Sequence, residues 1–377
     1  MAEIHGTCAE RFGDVRTTMA SHLDQGLDVG ASVAVMIEGE LVVDLWGGFA
    51  DADRTRPWER DTIINAWSIT KPMTALCALI LADHGELDLH APVVRYWPEF
   101  AAAGKERVEV RHLLGHTAGL SGWEEPLQTE DLYDWEKVTS LLAAQAPWWE
   151  PGRASGYHAL TQGYLVGEVI RRVTGQSTGE FFAAEVAGPL RADFHIGLPP
   201  EHDDRVALVI PSGPILGELE PGSLAARTLG NPPLSAETSW EPAWRRAEIP
   251  AANGHGNARS VAAVQAVLAG GGEVGGVRLL SPAGCDAVFE EQANGQDLVL
   301  GLPLRFGMGY GLNSPHFPVS PNPRACFWGG WGGSVVVVDL DARWVVSYVM
   351  NRMGEGTLGD RRGAGIVLAV LAALARR

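Results

Sequence analysis

The 377-residue sequence predicts an α/β domain plus an all-α one, with the α/β domain assembled from both chain ends and interrupted by a helical insertion. Three observations carry this expectation. β-rich runs lie near the start, at 31–37 and 41–46; others return near the end, at 334–339 and 343–351; and the stretch between them repeats apolar residues at helical spacing. The expected division is 1–60 and 295–377 for the α/β domain and 61–294 for the helical one, and the chain is comfortable for two lobes.

In chain order, residues 11–27 have helical spacing that ends by Gly30. The runs 31–37 and 41–46 flank Glu38-Gly39-Glu40, a hairpin turn. Residues 51–61 are polar and turn-rich and lead into a strongly apolar helix at 69–84. Further helices are expected at 110–114, 135–144, 160–173, 178–187 and 260–268. The loops at 119–130 and 210–250, rich in Pro, Gly and Trp, are long for a compact domain and suited to shaping a substrate mouth. Strands at 309–312, 334–339 and 343–351 and a helix at 363–376 complete the pattern, and that last apolar segment is too short to span a bilayer.

A net charge of −17 repels phosphate backbones and anionic membranes, so neither nucleic acid nor a membrane is an expected partner. Residues 1–16 carry Glu3, Glu10 and Asp14 and lack the apolar core of a signal peptide, which gives a cytoplasmic expectation. The four cysteines have no metal-type spacing and read as packing thiols in a reducing compartment. Thirteen tryptophans are many for this length, and indoles in excess often line pockets.

Chemistry concentrates at Ser68-Ile69-Thr70-Lys71. Three residues of helical spacing put the hydroxyl and the amine one turn apart on one face. Serine needs a base to become a nucleophile, and a lysine can serve only with its amine neutral near pH 7. Burial and the positive end of the helix dipole both depress its pKa. The bland alternative is an N-capping serine beside a surface lysine. Against it, the chain has only three lysines, and an ammonium in a buried helix is costly.

Tyr157 follows the tight loop Glu150-Pro151-Gly152-Arg153-Ala154-Ser155-Gly156, just before a helix, where a phenol can point into a cleft or simply pack. Phe327-Trp328-Gly329-Gly330-Trp331-Gly332-Gly333-Ser334 leads into a valine-rich strand. Glycines there mark close approach of a ligand or of another backbone, or a plain β turn with two indoles beside it.

Taken in this order, the motifs resemble the serine β-lactamase and penicillin-binding-protein superfamily, and most of all the family VIII carboxylesterases with a class C β-lactamase-like fold. Ser68-Ile69-Thr70-Lys71 is similar to S-x-x-K, Tyr157-His158-Ala159 to the tyrosine motif, and Trp328-Gly329-Gly330 stands in the place of K-T-G. Arg111-His112-Leu113-Leu114-Gly115-His116-Thr117-Ala118-Gly119-Leu120 is similar to a further family segment, and the resemblance runs over 33–353. It implies an antiparallel sheet with flanking terminal helices, and Ser68 as acylated nucleophile with Lys71 and Tyr157 relaying its proton, either one serving as base. It also implies an oxyanion hole from the backbone N–H groups of Ser68 and Trp331, substrate contacts at Trp328, Gly329 and Gly330, and no cofactor or metal.

Two departures from class C β-lactamases favour neutral acyl substrates. Ala159 replaces the asparagine of Y-x-N, and Trp328 replaces the lysine that helps bind the β-lactam carboxylate, a contact worth about 1.5 to 3 kcal/mol. The expected activity is therefore hydrolysis of small neutral esters. Behind it stand an acyltransferase using the same acyl-enzyme, a β-lactamase or D,D-peptidase, and an inactive binding protein. Weaker signals are His112 and His116, four apart but without a third ligand; the glycine-rich turn 270–276; and His255, read as a satisfied loop histidine more than a cleft residue.

Overall fold

The computed structural model describes residues 2–212 and 219–376, so the 213–218 part of the expected 210–250 loop lies outside the described residues. Nine strands form one antiparallel sheet: β1 (Ile4–Cys8), β2 (Gly30–Ile37), β3 (Glu40–Gly48), β4 (Ala293–Gln296), β5 (Pro303–Phe306), β6 (Gly311–Leu312), β7 (Ala325–Gly329), β8 (Val335–Asp339) and β9 (Trp344–Met350). Their spatial order is β1-β3-β2-β9-β8-β7-β6-β5-β4. The two chain ends meet where β2 pairs with β9, with Val35 opposite Val346.

The helices that matter for the site are α1 (Gly13–Asp24), α2 (Thr70–Asp83), α3 (Val110–Leu114), α4 (Trp135–Ala144), α5 (Thr161–Thr174), α6 (Thr178–Phe182), α7 (Ala258–Ala269) and α8 (Arg361–Ala375). A π-helical turn, Ala183–Ala187, extends α6. Period-two alternation explains how the continuous valine run of β8 is accommodated. Val335 and Val337 face a core shared with Ile366 and Val370 of α8 and Val15 and Met19 of α1, whereas Val336 and Val338 face the larger core shared with α2 and α7. Both faces are covered, so no side of the strand needs polar residues.

Helix α2 is buried almost from end to end, which suits its all-round apolar sequence. Pro72 sits in its first turn, where a missing N–H leaves no helical bond unmade. Asn257 caps α7 by accepting from Ser260 N at 2.9 Å, and Asp360 caps α8. Strands β1, β4, β5 and β7 were not expected from the sequence. β1 and β4 lie at the sheet edges and are largely polar, so they lack the alternating apolar signal of an interior strand. No helix among the described residues is long and apolar enough to cross a membrane.

Candidate active site

Ser68 sits in the turn that opens α2, and the local chain is braced to put it there. Strand Ile64–Asn65 pairs with His255–Gly256, Ala66 N donates to Gly254 O at 2.8 Å, and Thr70 Oγ1 both donates to Trp67 O at 2.6 Å and accepts from Gly254 N at 2.8 Å. Trp67, immediately before Ser68, has φ +50°, a left-handed conformation that costs a bulky residue on the order of 1–3 kcal/mol. Its indole is held between Trp331, edge-on at 4.8 Å between ring centroids, and Trp244 at 5.8 Å.

Lys71 is fully buried, with Nζ 3.1 Å from Ser68 Oγ, 2.7 Å from Ala159 O and 3.0 Å from Ala251 O. A neutral amine fits this set: two N–H bonds reach the two carbonyls, and the lone pair faces the serine hydroxyl. Among the described residues no carboxylate touches it, and burial holds its pKa well below the ordinary lysine range. Tyr157 approaches from the other side, its hydroxyl donating to Ser68 Oγ at 2.7 Å. Burial pushes its phenol pKa up, opposed by the bond to Ser68, and the Lys71 nitrogen lies 4.8 Å from its ring centroid. Two groups able to share its proton therefore converge on the serine oxygen.

The cleft in front of Ser68 is walled by Trp67, Leu160, Leu229, Pro232, Leu234 and Trp331, and its cavity volume is only about 50 Å³. Trp331 lies in the turn beyond β7. Among the described residues neither its N–H nor that of Ser68 has a backbone acceptor in hydrogen-bond geometry, so both donors are unspent.

A model of the Beta-lactamase family matches residues 18–371. The chain belongs to that family. It is 36% identical over 363 residues to the esterase/beta-lactamase LipL of Mycobacterium tuberculosis H37Rv, across 93% of this chain and 83% of LipL. The crystal structure of a family VIII carboxylesterase matches it with a TM-score of 0.93 at 45% identity, covering 98% of this chain and 100% of that one. A penicillin-binding-protein homologue from Caulobacter crescentus matches with a TM-score of 0.92 at 39% identity, over 98% and 100% of the two chains. With these likenesses the chain stands as a serine hydrolase of β-lactamase-like fold.

In this member of the Beta-lactamase family, the Trp328 side chain is not where the sequence expectation put it. Trp328 is 1% exposed and does not line the cleft; it stacks on His116 at 5.4 Å, with its ring centroid 6.2 Å from that of Tyr157. The reason is strand alternation: β7 lies inside the sheet, so Cys326 and Trp328 enter the larger core while Ala325 and Phe327 face α1 and α8. Gly329 lies against the backbone of Leu358 and Gly359, and a methyl on Gly330 would stand 2.6 Å from Ala66 O. On their Cβ side, these glycines permit a close approach to other backbone. Trp331, beyond the strand end, reaches the cleft instead.

The sequence reading missed what supports Tyr157. Asp297, 1% exposed, accepts through Oδ1 from Tyr157 N at 3.0 Å, Val299 N at 3.0 Å and Leu300 N at 2.9 Å. His116 and His158 brace the same loop: His158 N donates to His116 Nδ1 at 3.0 Å, and His158 bonds Gly156 O at 2.6 Å and accepts from Leu120 N at 3.1 Å. Burial lowers both histidine pKa values, that of His158 to about 3, so both are neutral struts. The Arg111 to Leu120 segment flagged by resemblance is thus the platform under Tyr157. His112 accepts from Glu109 N at 3.1 Å through its own Nδ1, and His255 is buried with Nδ1 bonded to Asn253 O at 2.7 Å, outside the cleft.

Proposed function

We propose that this protein is a serine carboxylesterase that hydrolyses small neutral esters through an acyl-enzyme on Ser68. The observation that carries the reading is the convergence of Lys71 Nζ at 3.1 Å and Tyr157 OH at 2.7 Å on one serine oxygen inside an apolar cleft. The Lys71 lone pair takes the Ser68 proton as Oγ attacks the ester carbonyl carbon, with the Tyr157 hydroxyl beside it to relay that proton. The negative oxygen of the tetrahedral intermediate lies against the Ser68 and Trp331 N–H groups. Its collapse breaks the bond to the alcohol oxygen, which leaves with the shuttled proton. Water then attacks the acyl carbon, gives its proton to the same pair, and releases the acid and free Ser68.

The substrate class follows from size and charge. The cleft beside Ser68 is narrow, about 50 Å³, and apolar-walled, which favours small neutral acyl groups. Among the described residues no Lys or Arg side chain lines it to attract a carboxylate, which disfavours penicillins and cephalosporins. The apolar walls also suit an alcohol as acceptor in place of water, so the acyl-enzyme is open to transfer. Adding an alcohol during turnover and measuring the ratio of new ester to free acid separates the two fates.

The experiment that tests the reading is labelling with a fluorophosphonate, followed by peptide mass spectrometry. The label is expected on Ser68, with ester hydrolysis lost in Ser68→Ala. An unlabelled Ser68, or comparable turnover by Ser68→Ala, overturns the assignment.

A further inference from the structure

The last glycines of the Trp331 turn have no part in the reaction above, yet their surroundings are specific. Gly332 has φ +92° and Gly333 φ +128°. A methyl on Gly333 would stand 2.6 Å from both Arg362 Nη2 and Asp360 Oδ2. The turn is pressed onto the head of α8, where Arg362 is 4% exposed.

That guanidinium gathers four separate chain segments. Nη2 donates to Gly332 O at 2.6 Å and to Asp360 Oδ2 at 2.5 Å, and Nε donates to Asp360 Oδ2 at 2.9 Å. Nη1 donates to Asp28 Oδ1 at 2.7 Å, Leu27 O at 3.0 Å and Arg352 O at 2.7 Å. Asp28 is wholly buried and is fixed in turn by Tyr348 OH at 2.7 and 2.9 Å from its two oxygens. Gly332 is also tied to the segment after β9, through Gly332 N to Gly356 O at 2.8 Å and Gly354 N to Gly332 O at 2.7 Å.

We propose that Arg362 is a positioning residue for the oxyanion hole: by clamping the Gly332 carbonyl to the heads of β2 and α8, it holds the turn so that Trp331 N–H faces the reacting carbonyl. The planar fork of arginine suits this task because it bonds several fixed acceptors at once, which a lysine ammonium does not reproduce. A preformed donor needs no reorganisation as charge develops, and a turn free to rotate its peptides would lose that advantage. The inference rests on the acyl-enzyme reading of Ser68 and Trp331. A purely architectural ion pair would instead change stability and leave the kinetics of folded molecules alone.

The test uses Arg362→Gln and the charge-balanced Asp28→Asn/Arg362→Gln, each assayed below its unfolding midpoint as judged by circular dichroism. Three quantities are measured per folded molecule: kcat/KM on a short-chain aryl ester, affinity for an aryl boronic acid, and affinity for an ether analogue of the ester. The boronic acid forms a tetrahedral adduct on Ser68 whose oxygen occupies the hole, and the ether has no carbonyl. We expect kcat/KM and boronic acid affinity to fall together by about 10- to 100-fold, a part of the 10²- to 10³-fold that loss of a whole donor costs, with ether affinity unchanged. Wild-type kcat/KM in a folded variant, or an equal loss of ether affinity, overturns the proposal. If neither variant folds, Gly333→Ala disturbs the same contact from the turn side and is read by the same three measurements. Failure of the underlying reading looks different: full activity in Ser68→Ala and no boronic acid binding to wild type.

Discussion

Trp328→Lys restores the lysine that class C β-lactamases carry at this position, and the structure predicts that it adds no carboxylate site. The indole is 1% exposed, enclosed by His116 at 5.4 Å, Phe306 at 5.9 Å and Tyr157 at 6.2 Å between ring centroids. Truncating a core Trp to Ala costs about 3–5 kcal/mol, of which the lysine methylenes recover part. The ammonium then stays charged in an apolar pocket or loses its proton. Lowering a lysine from about 10.4 to 7 at 1.36 kcal/mol per unit costs about 5 kcal/mol. Even the smaller combination is a large share of the ~5–15 kcal/mol that holds an ordinary domain together. Urea unfolding should therefore shift to markedly lower midpoints. Ester kcat/KM should fall as Tyr157 loses its backing, and the ratio of cephalosporin to ester kcat/KM should stay near the wild-type value. A lysine facing the cleft would raise that ratio by about 10- to 150-fold. A tenfold rise with unchanged urea midpoint would refute the placement of Trp328 in the core.

Five further outcomes are expected. Ser68→Ala should lower ester hydrolysis by roughly three to six orders of magnitude, read by steady-state rates against a fluorophosphonate-titrated wild type. Lys71→Ala and Tyr157→Phe should each remove most activity, and the double variant little more than the worse single, because both act on one proton; additive losses in log rate would indicate separate roles. Asp297→Ala strands three buried N–H groups at about 1–3 kcal/mol each, so stability should drop by at least ~3 kcal/mol in urea and turnover should fall, with Asp297→Asn recovering most of both. Burial holds Lys71 well below its ordinary 10.5, so kcat/KM on a neutral ester should rise with pH and level off far below that value, and a profile still climbing there contradicts a neutral amine. The same depression means that the unfolded chain binds a proton which the folded chain refuses. Stability should thus rise with pH from the depressed value up to 10.5, and Lys71→Met should lose that rise in pH-dependent melts.

Much of the fold and the core of the site were legible before any coordinates. Predicted helices and observed ones agree wherever an apolar stripe is long, as in 69–84 against Thr70–Asp83, and 135–144 coincides with Trp135–Ala144. Long strands with apolar faces were found, and two short polar ones, Ile4–Cys8 and Ala293–Gln296, were missed because an edge strand has little burial to encode; the buried Ala325–Gly329 was missed as well. Ser68 and Lys71 were readable because their relation is local, one helical turn.

What the sequence by itself determined is the set of groups proposed to react and their order: a serine and a lysine one turn apart, a tyrosine in a tight loop, and a glycine-rich turn at the end of a strand. What only the tertiary structure decided is which way each long-range partner faces. Trp328 and Trp331 are three residues apart and alike in composition, yet one is core and the other is cleft wall, because the strand ends between them. Asp297 reaches Tyr157 across 140 positions, and Arg362 reaches Gly332 across 30 and Asp28 across 334. No periodicity or motif marks such contacts. They arise when sheet register closes the chain ends on each other and leaves buried N–H groups and charges that must find partners.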